Sequence, residues 1–364
     1  RVNSDTTRRD WKRKLTDEIA KLGDRRRGMI TEANVTIAHD DAPSACIRRA
    51  DDGFAGWLVH EFPAIYDWPD AAAHDLWKRC KRIYLNLALG DPTKRYRLAH
   101  RVYELNRERM DAGARVLDDH MLSIFDCYVM IWEEGLTAFL REMQHLANIN
   151  LDGLFVSSTF TRCRVEWDAS GEATIINGTD GRRVRRSEMV RALCRWDWAS
   201  GVPGGDYAAL AVILRDAHGY GYVVDGWMKV VKTSEQVRAA WALCEKWQIP
   251  YLSVETNQGQ VIVTDEVWPT SVIEREKAGQ WVGVVAHAEP STKNKEAELS
   301  ALEPATNGGI LQFAEGLLPE GMAQFDAFDG IKNSHKDDFH DAVARGWHRT
   351  GGMPPRMGQT RVWG

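Results

Sequence analysis

Residues 191–350 alternate between runs that only a sheet can bury and runs with helical spacing, and this order constrains the fold more than any other feature. An apolar run in Ala-Leu-Cys-Arg-Trp-Asp-Trp-Ala ends at the acid Asp197. Ala208–Leu214 and Tyr220–Val231 are β-rich, and Asp216-Ala-His-Gly219 between them reads as a hairpin turn. Ser234–Trp247 has helical spacing, with Ser234 as the expected N-cap and Glu235 behind it. Pro250 opens a strand that ends at Glu255. A helix is then expected over Gln258–Trp268, a strand over Trp281–Val285, a helix over Lys295–Leu302 and a last helix over Asp337–His348.

That order, β-β-β-α-β-α-β-α with acids at strand ends, is the layout of an RNase H-like α/β fold with a mixed central sheet flanked by helices. The rest of the chain reads differently. Residues 1–27 carry ten Lys/Arg against five Asp/Glu, around a helix-like stretch from Trp11 to Leu22. Residues 28–42 read as a short strand and a polar turn, and Trp57, Pro63 and Pro69 punctuate a loop-rich part. From Ala71 to His145 the spacing is helical, as in Leu76, Trp77, Cys80, Ile83 and Tyr84. The expected division is residues 1–150, a connection over 151–190 with strands broken by Gly171, Gly178 and Gly181, a domain over 191–350, and a loose tail over 351–364.

A chain of 364 residues with 44% hydrophobic residues can bury two or three cores at roughly 150 residues each. No apolar stretch reaches the ~18–20 residues a membrane span needs, and the first residues hold no apolar signal core. The six cysteines all lie more than 30 residues apart, so no zinc or redox pair is spaced for use and a reduced setting is expected. A net charge of −5 argues against a protein that coats nucleic acid through bulk basicity. Contact with a polyanion would come from local patches: Arg182, Arg183, Arg185 and Arg186, then Lys229 and Lys232, then Lys293 and Lys295. The plainer reading of any one patch is a solvated surface.

The acids carry the chemistry. Asp197 and Glu255 each end an apolar run, and Asp338 and Asp341 open the last helix in His-Lys-Asp-Asp-Phe-His-Asp-Ala. A carboxylate at the end of a buried strand has a fixed position and a solvated tip. Several such tips make a cage of hard oxygens that suits Mg²⁺ or Mn²⁺ rather than Zn²⁺. Each acid also has a plainer role: Asp197 as a turn cap, Glu255 as a buried ion-pair partner, Asp338 as a helix N-terminal charge. Asp206 and Asp337 are further candidates, whereas His335 and His340 read as surface or supporting groups. Trp196 and Trp198, flanking the first acid, read as core packing rather than base-stacking platforms.

Asp197-Trp-Ala followed by Gly205-Asp206-Tyr207 and an apolar strand resembles the first nuclease motif of the large terminase subunit of tailed bacteriophages. Glu255-Thr-Asn257 resembles the second motif, and Asp337-Asp338-Phe-His-Asp341-Ala342 the third. Lys293-Asn-Lys295-Glu296 and Gly309-Ile-Leu-Gln-Phe313 match the family's pattern before the last acids. Upstream, Met29–Asp41, Phe62-Pro-Ala-Ile65, Leu76-Trp77 and Glu134-Gly135 resemble the end of the motor domain and its linker. The family's ATPase uses a Gly-x-x-x-x-Gly-Lys-Ser/Thr loop, and this chain has none, since Gly90-Asp-Pro-Thr-Lys94 lacks the second glycine.

The resemblance implies a metal-dependent endonuclease that cuts concatemeric viral DNA during genome packaging, with no ATP hydrolysis by this chain. Residues 1–150 would be a remnant of the motor and its linker helices. Asp197 would bridge two Mg²⁺ or Mn²⁺ ions, Glu255 would hold one, Asp338 or Asp341 the other, and Asp206 would touch a metal directly or through water. Lys293 and Lys295, with Arg183 and Arg186, would hold DNA. The implied partners are double-stranded DNA, a portal protein, a small terminase subunit and further copies in a motor ring, at the portal vertex in the host cytoplasm, with no membrane. The alternative is a non-catalytic RNase H-like module that docks on portal or DNA.

Overall fold

The computed structural model describes residues 62–146, 153–202, 204–255, 263–289, 295–329 and 336–353. The readings of Trp11–Leu22, Met29–Asp41, His335 and Lys293 lie outside them, as does the side chain of Lys295. The chain divides into two compact units, Arg1–Lys78 with His100–Asn150, and Arg79–Ala99 with Leu151–Gly364.

Within its described residues the first unit is mostly helical, as the spacing predicts. A two-stranded antiparallel ribbon pairs β1 (Ile65–Asp67) with β2 (Arg115–Val116). Helix Ile124–Glu134 starts at a capping box, in which Ser123 Oγ accepts from the Asp126 amide and Asp126 reaches back to the Ser123 amide. Its inward residues build an aromatic core: Trp77 stacks on Tyr128 at 3.9 Å between centroids, and Phe125 lies 5.0 Å from Tyr103.

The second unit is built on one nine-stranded sheet. Its strands are β3 (Arg162–Trp167), β4 (Ala173–Ile176), β5 (Arg183–Arg185), β6 (Arg191–Asp197), β7 (Ala208–Arg215), β8 (Gly221–Lys229), β9 (Tyr251–Glu255), β10 (Val285–Glu289) and β11 (Leu311–Ala314), in the order β10-β9-β6-β7-β8-β11-β3-β4-β5. Strands β6, β7 and β8 form an antiparallel meander. Strand β9 returns parallel to β6 on its other side, and β10 adds parallel to β9. This is the RNase H-like mixed sheet that the sequence order implies.

Two helices cover opposite faces. On β6, Trp196 donates from Nε1 to Gln236 of helix Thr233–Lys246, so its even-numbered residues face that helix. Arg195 and Leu193, on the other face, meet Gly346 of helix Asp338–Arg349. Close approach of that second helix depends on small residues. A Cβ at Gly226 of β8 would stand 2.5 Å from the Phe339 ring, and one at Gly321 would stand 2.5 Å from another edge of it. Phe339 is thereby wedged in place, and it fixes the angle at which the helix start meets the strand ends.

Several boundaries differ from the sequence reading. Helix Thr233–Lys246 has Lys232 at its N-cap position with no side-chain capping bond, so Ser234 lies inside the helix. Of the helix expected over Gln258–Trp268, residues 258–262 lie outside the described residues. Val263–Val267 forms a π-helical turn that leads into an α-helix over Trp268–Lys277, which runs past the expected end and carries Pro269 in its first turn, where a proline is tolerated. The strand expected over Trp281–Val285 begins where that reading ends, at Val285.

Candidate metal centre

Strands β6 and β9 run parallel with Trp196 opposite Val254, and one step further both end in an acid, Asp197 and Glu255. Asp341 sits in the first turn of helix Asp338–Arg349, which packs over β6 and β7. Asp197, Glu255 and Asp341 each offer a carboxylate oxygen within 4.8 Å of the others. On one Mg²⁺ with ~2.1 Å bonds, adjacent oxygens lie about 3.0 Å apart and opposite ones about 4.2 Å, so side-chain shifts on the order of an ångström let the three share an ion. Glu255 and Asp341 are 5% and 2% exposed, and Asp197 is half-buried. Among the described residues these three are the acids grouped closely enough to hold a cation, and the all-carboxylate donor set suits a hard divalent ion.

The other sequence candidates lie elsewhere. Asp338 is buried, accepts from Gln324 Nε2 at 3.4 Å and stands outside the group of three. Gln324 Oε1 also accepts from the Phe339 amide at 2.7 Å, which satisfies the helix start that the Asp337 side chain does not cap. Asp206 is exposed and ion-paired with Lys336, whose pKa this hydrogen bond raises. His340 is fully buried among aromatic rings, 4.1 Å from Phe325 and 4.8 Å from Phe155 between centroids, which makes it a core group rather than a surface one. Trp196 is buried in the core, as read from sequence. Arg183 is exposed and pairs with Glu166 at 2.6 Å. Arg186 donates to the carbonyls of Trp247 at 2.7 Å and Gln248 at 2.6 Å, so it caps the end of helix Thr233–Lys246.

Two arginines that sequence reasoning passed over shape the centre. Arg195 is 1% exposed; it donates to Ser253 Oγ at 2.7 Å and lies 3.3 Å from both Glu255 and Glu289. Arg345 lies 2.6 Å from Glu255 Oε2, 2.9 Å from Asp341 Oδ1 and 3.3 Å from Glu298 Oε2. Burial pulls the Arg345 pKa down, but the carboxylates of Asp341, Glu255 and Glu298 outweigh it and the net shift is upward. Further out, Arg349 and the Tyr251 hydroxyl both reach Glu289 Oε1, at 2.6 Å and 3.0 Å. Each arginine had a sequence signal. Arg195 shares a strand face with Asp197 two residues on, and Arg345 follows Asp341 by four residues on a helix.

No protein-family model matches the chain, and no curated protein does. Among solved structures it is similar to the human cytomegalovirus terminase nuclease domain, at 11% identity and a TM-score of 0.34, over 43% of this chain and 82% of that one. It is also similar to the nuclease domain of the large terminase subunit of bacterial virus Sf6, at 11% identity and a TM-score of 0.32, over 46% of this chain and 90% of that one. A point variant of the Sf6 domain solved with calcium gives a TM-score of 0.31 at 11% identity, over 43% of this chain and 88% of that one. The assignment of this chain to the RNase H-like fold rests on its own strand order and directions.

Proposed function

We propose that this chain is a divalent-metal-dependent endonuclease that cuts double-stranded viral DNA during genome packaging. The observation that carries the reading is the meeting of Asp197, Glu255 and Asp341, remote in sequence, at the ends of two adjacent interior strands and the start of one helix. Asp197, Glu255 and Asp341 would hold divalent ions, which would supply an activated water and stabilisation of the leaving oxygen of a phosphodiester. The protein's part is to hold the carboxylates in place. Strand ends fix Asp197 and Glu255, the wedged helix fixes Asp341, and Arg195 braces Glu255 from beneath. Asp338, in the same first helical turn as Asp341, and Asp206, paired with Lys336 just ahead of that helix, are proposed to act on ions through water rather than directly.

The order and spacing of the terminase-like motifs support the biological setting. In that setting residues 1–150 descend from the motor and linker, and the partners are a portal protein, a small terminase subunit and further copies in a ring. Lys293 and Lys295, with Arg183, are proposed to contact DNA, whereas Arg186 is better matched to its capping role.

The test is plasmid cleavage by the purified chain. Nicking and linearisation with Mn²⁺ or Mg²⁺, silence in EDTA, and loss on Asp197→Asn with the fold intact are expected. Cleavage at the wild-type rate by Asp197→Asn would favour the docking-module reading instead.

A further inference from the structure

The carboxylate cluster already faces a cation of its own. Arg345 stands one helical turn after Asp341 and spans two of the three clustered acids, 2.6 Å from Glu255 Oε2 and 2.9 Å from Asp341 Oδ1. Its side chain is 11% exposed, and a guanidinium does not lose its proton in a protein. Arg195 differs: it lies beneath Glu255 between β6 and β9, held by Ser253 and Glu289, and is a strut. The third partner of Arg345 is Glu298, at 3.3 Å, which is not one of the clustered acids.

We propose that Arg345 is a resident counter-cation of the metal centre, a positioning residue that gathers Glu255 and Asp341 before metal arrives and weakens divalent binding by holding one oxygen of each. The inference rests on reading the cluster as a metal site. Three carboxylates within 4.8 Å repel one another strongly where water is scarce. A fixed guanidinium relieves that repulsion and keeps the site assembled. The same positive charge, a few ångströms from where a divalent ion must sit, opposes its entry. Glu298 offers the guanidinium a place to turn as an ion takes up the shared oxygens. Arg345 therefore trades affinity for pre-assembly, and Glu298 sets the terms of the exchange.

Calorimetry of Mn²⁺ binding to the purified chain without DNA tests this, because its readout is affinity rather than cleavage. Arg345→Met should bind Mn²⁺ about tenfold tighter or better than wild type, since a unit charge within a few ångströms is gone. In EDTA the same variant should melt lower. Arg345→Lys, which keeps the charge, should stay within a few-fold of wild type. Glu298→Gln should weaken binding several-fold alone and have no effect in the Arg345→Met background. Equal or weaker Mn²⁺ binding by Arg345→Met overturns the inference. If Arg345→Met does not fold, Glu298→Gln decides, and unchanged affinity overturns the inference. If wild type and Arg345→Met both give neither binding heat nor a melting gain with Mn²⁺, the metal-site reading itself fails; Mn²⁺ binding by wild type with no gain in Arg345→Met removes only the role of Arg345.

Discussion

Strands β7 and β9 flank β6 on its two sides and are made of opposite chemistry. All eight residues of β7, Ala-Ala-Leu-Ala-Val-Ile-Leu-Arg, are buried, and seven of them are apolar. On β9, Leu252 and Val254 are apolar and fully buried, while Ser253 and Glu255 alternate with them on the face toward helix Asp338–Arg349, also buried. Beyond its backbone ladders to β6 and β8, the seven apolar side chains of β7 contribute packing, and Arg215 at its end donates to the Gly352 carbonyl. The β9 side is held by carboxylates interleaved with guanidiniums: Glu255 and Glu289 on Arg195, Glu255 and Asp341 on Arg345, Glu289 on Arg349. The two sides should therefore fail differently: β7 through lost volume, β9 through lost charge balance.

The sharpest contrast is in activity. Asp197→Asn should lower cleavage by about a thousandfold or more while its melting in EDTA stays level or rises. Leu210→Ala should cut at the wild-type rate below its melting point; equal losses from both would erase the distinction. Next in size is Arg195→Met, which leaves Glu255 and Glu289 side by side without their buried guanidinium. It should cost about 3–5 kcal/mol in a denaturant melt, part of it recovered with Mn²⁺, and a loss below ~1 kcal/mol would show that the ion pairs do not hold this side. Leu210→Ala should cost ~2–5 kcal/mol through the cavity it leaves, with no dependence on metal. A Mn²⁺-dependent loss there would mean that the apolar side senses the site.

The pH response separates the regions further. Burial pushes the Tyr220 hydroxyl, which accepts the Leu87 amide at 3.1 Å, up to about 12, against an unfolded value near 10. The folded protein keeps this proton when the unfolded chain loses it. The associated stability is present below pH ~10 and is lost as pH rises toward ~12, by up to ~1.4 kcal/mol per pH unit. Tyr220→Phe should flatten that alkaline limb in pH-dependent melts, and an unchanged slope would assign it to other groups. The smallest effect is expected at Lys336, whose side chain and that of its partner Asp206 are 50% and 74% exposed. Lys336→Ala should shift stability by no more than ~0.5 kcal/mol, and a larger loss would bring this pair into the centre.

The same contrast explains what was legible in the sequence. The β7–β8 hairpin shows in two apolar runs around Asp216-Ala-His-Gly219, and β9 shows in its entry after Pro250. Edge strand β10 was read four residues early because its mostly exposed residues carry no hydrophobic pattern. The four-residue strand β11 is short, and its apolar run is broken by a buried Gln312 whose partners, Asn177 and Thr179, come from more than 130 residues away, so the run does not show as a strand in the sequence. Three of the acids stood out because each closes an apolar run or opens a helix. Choosing Asp341 over Asp338 needed the fold, since both sit in the same first helical turn and the packing of that helix, through Phe339 and Gly346, places Asp341 with Asp197 and Glu255.

Asp197, Glu255 and Asp341 are expected to form one metal centre. Diffraction from crystals grown with Mn²⁺, recorded at the manganese absorption edge, tests it most directly. An anomalous peak is expected among these three carboxylates, lost in Asp197→Asn. Clear carboxylate density with no such peak at millimolar Mn²⁺, or a peak held by other residues alone, would contradict it.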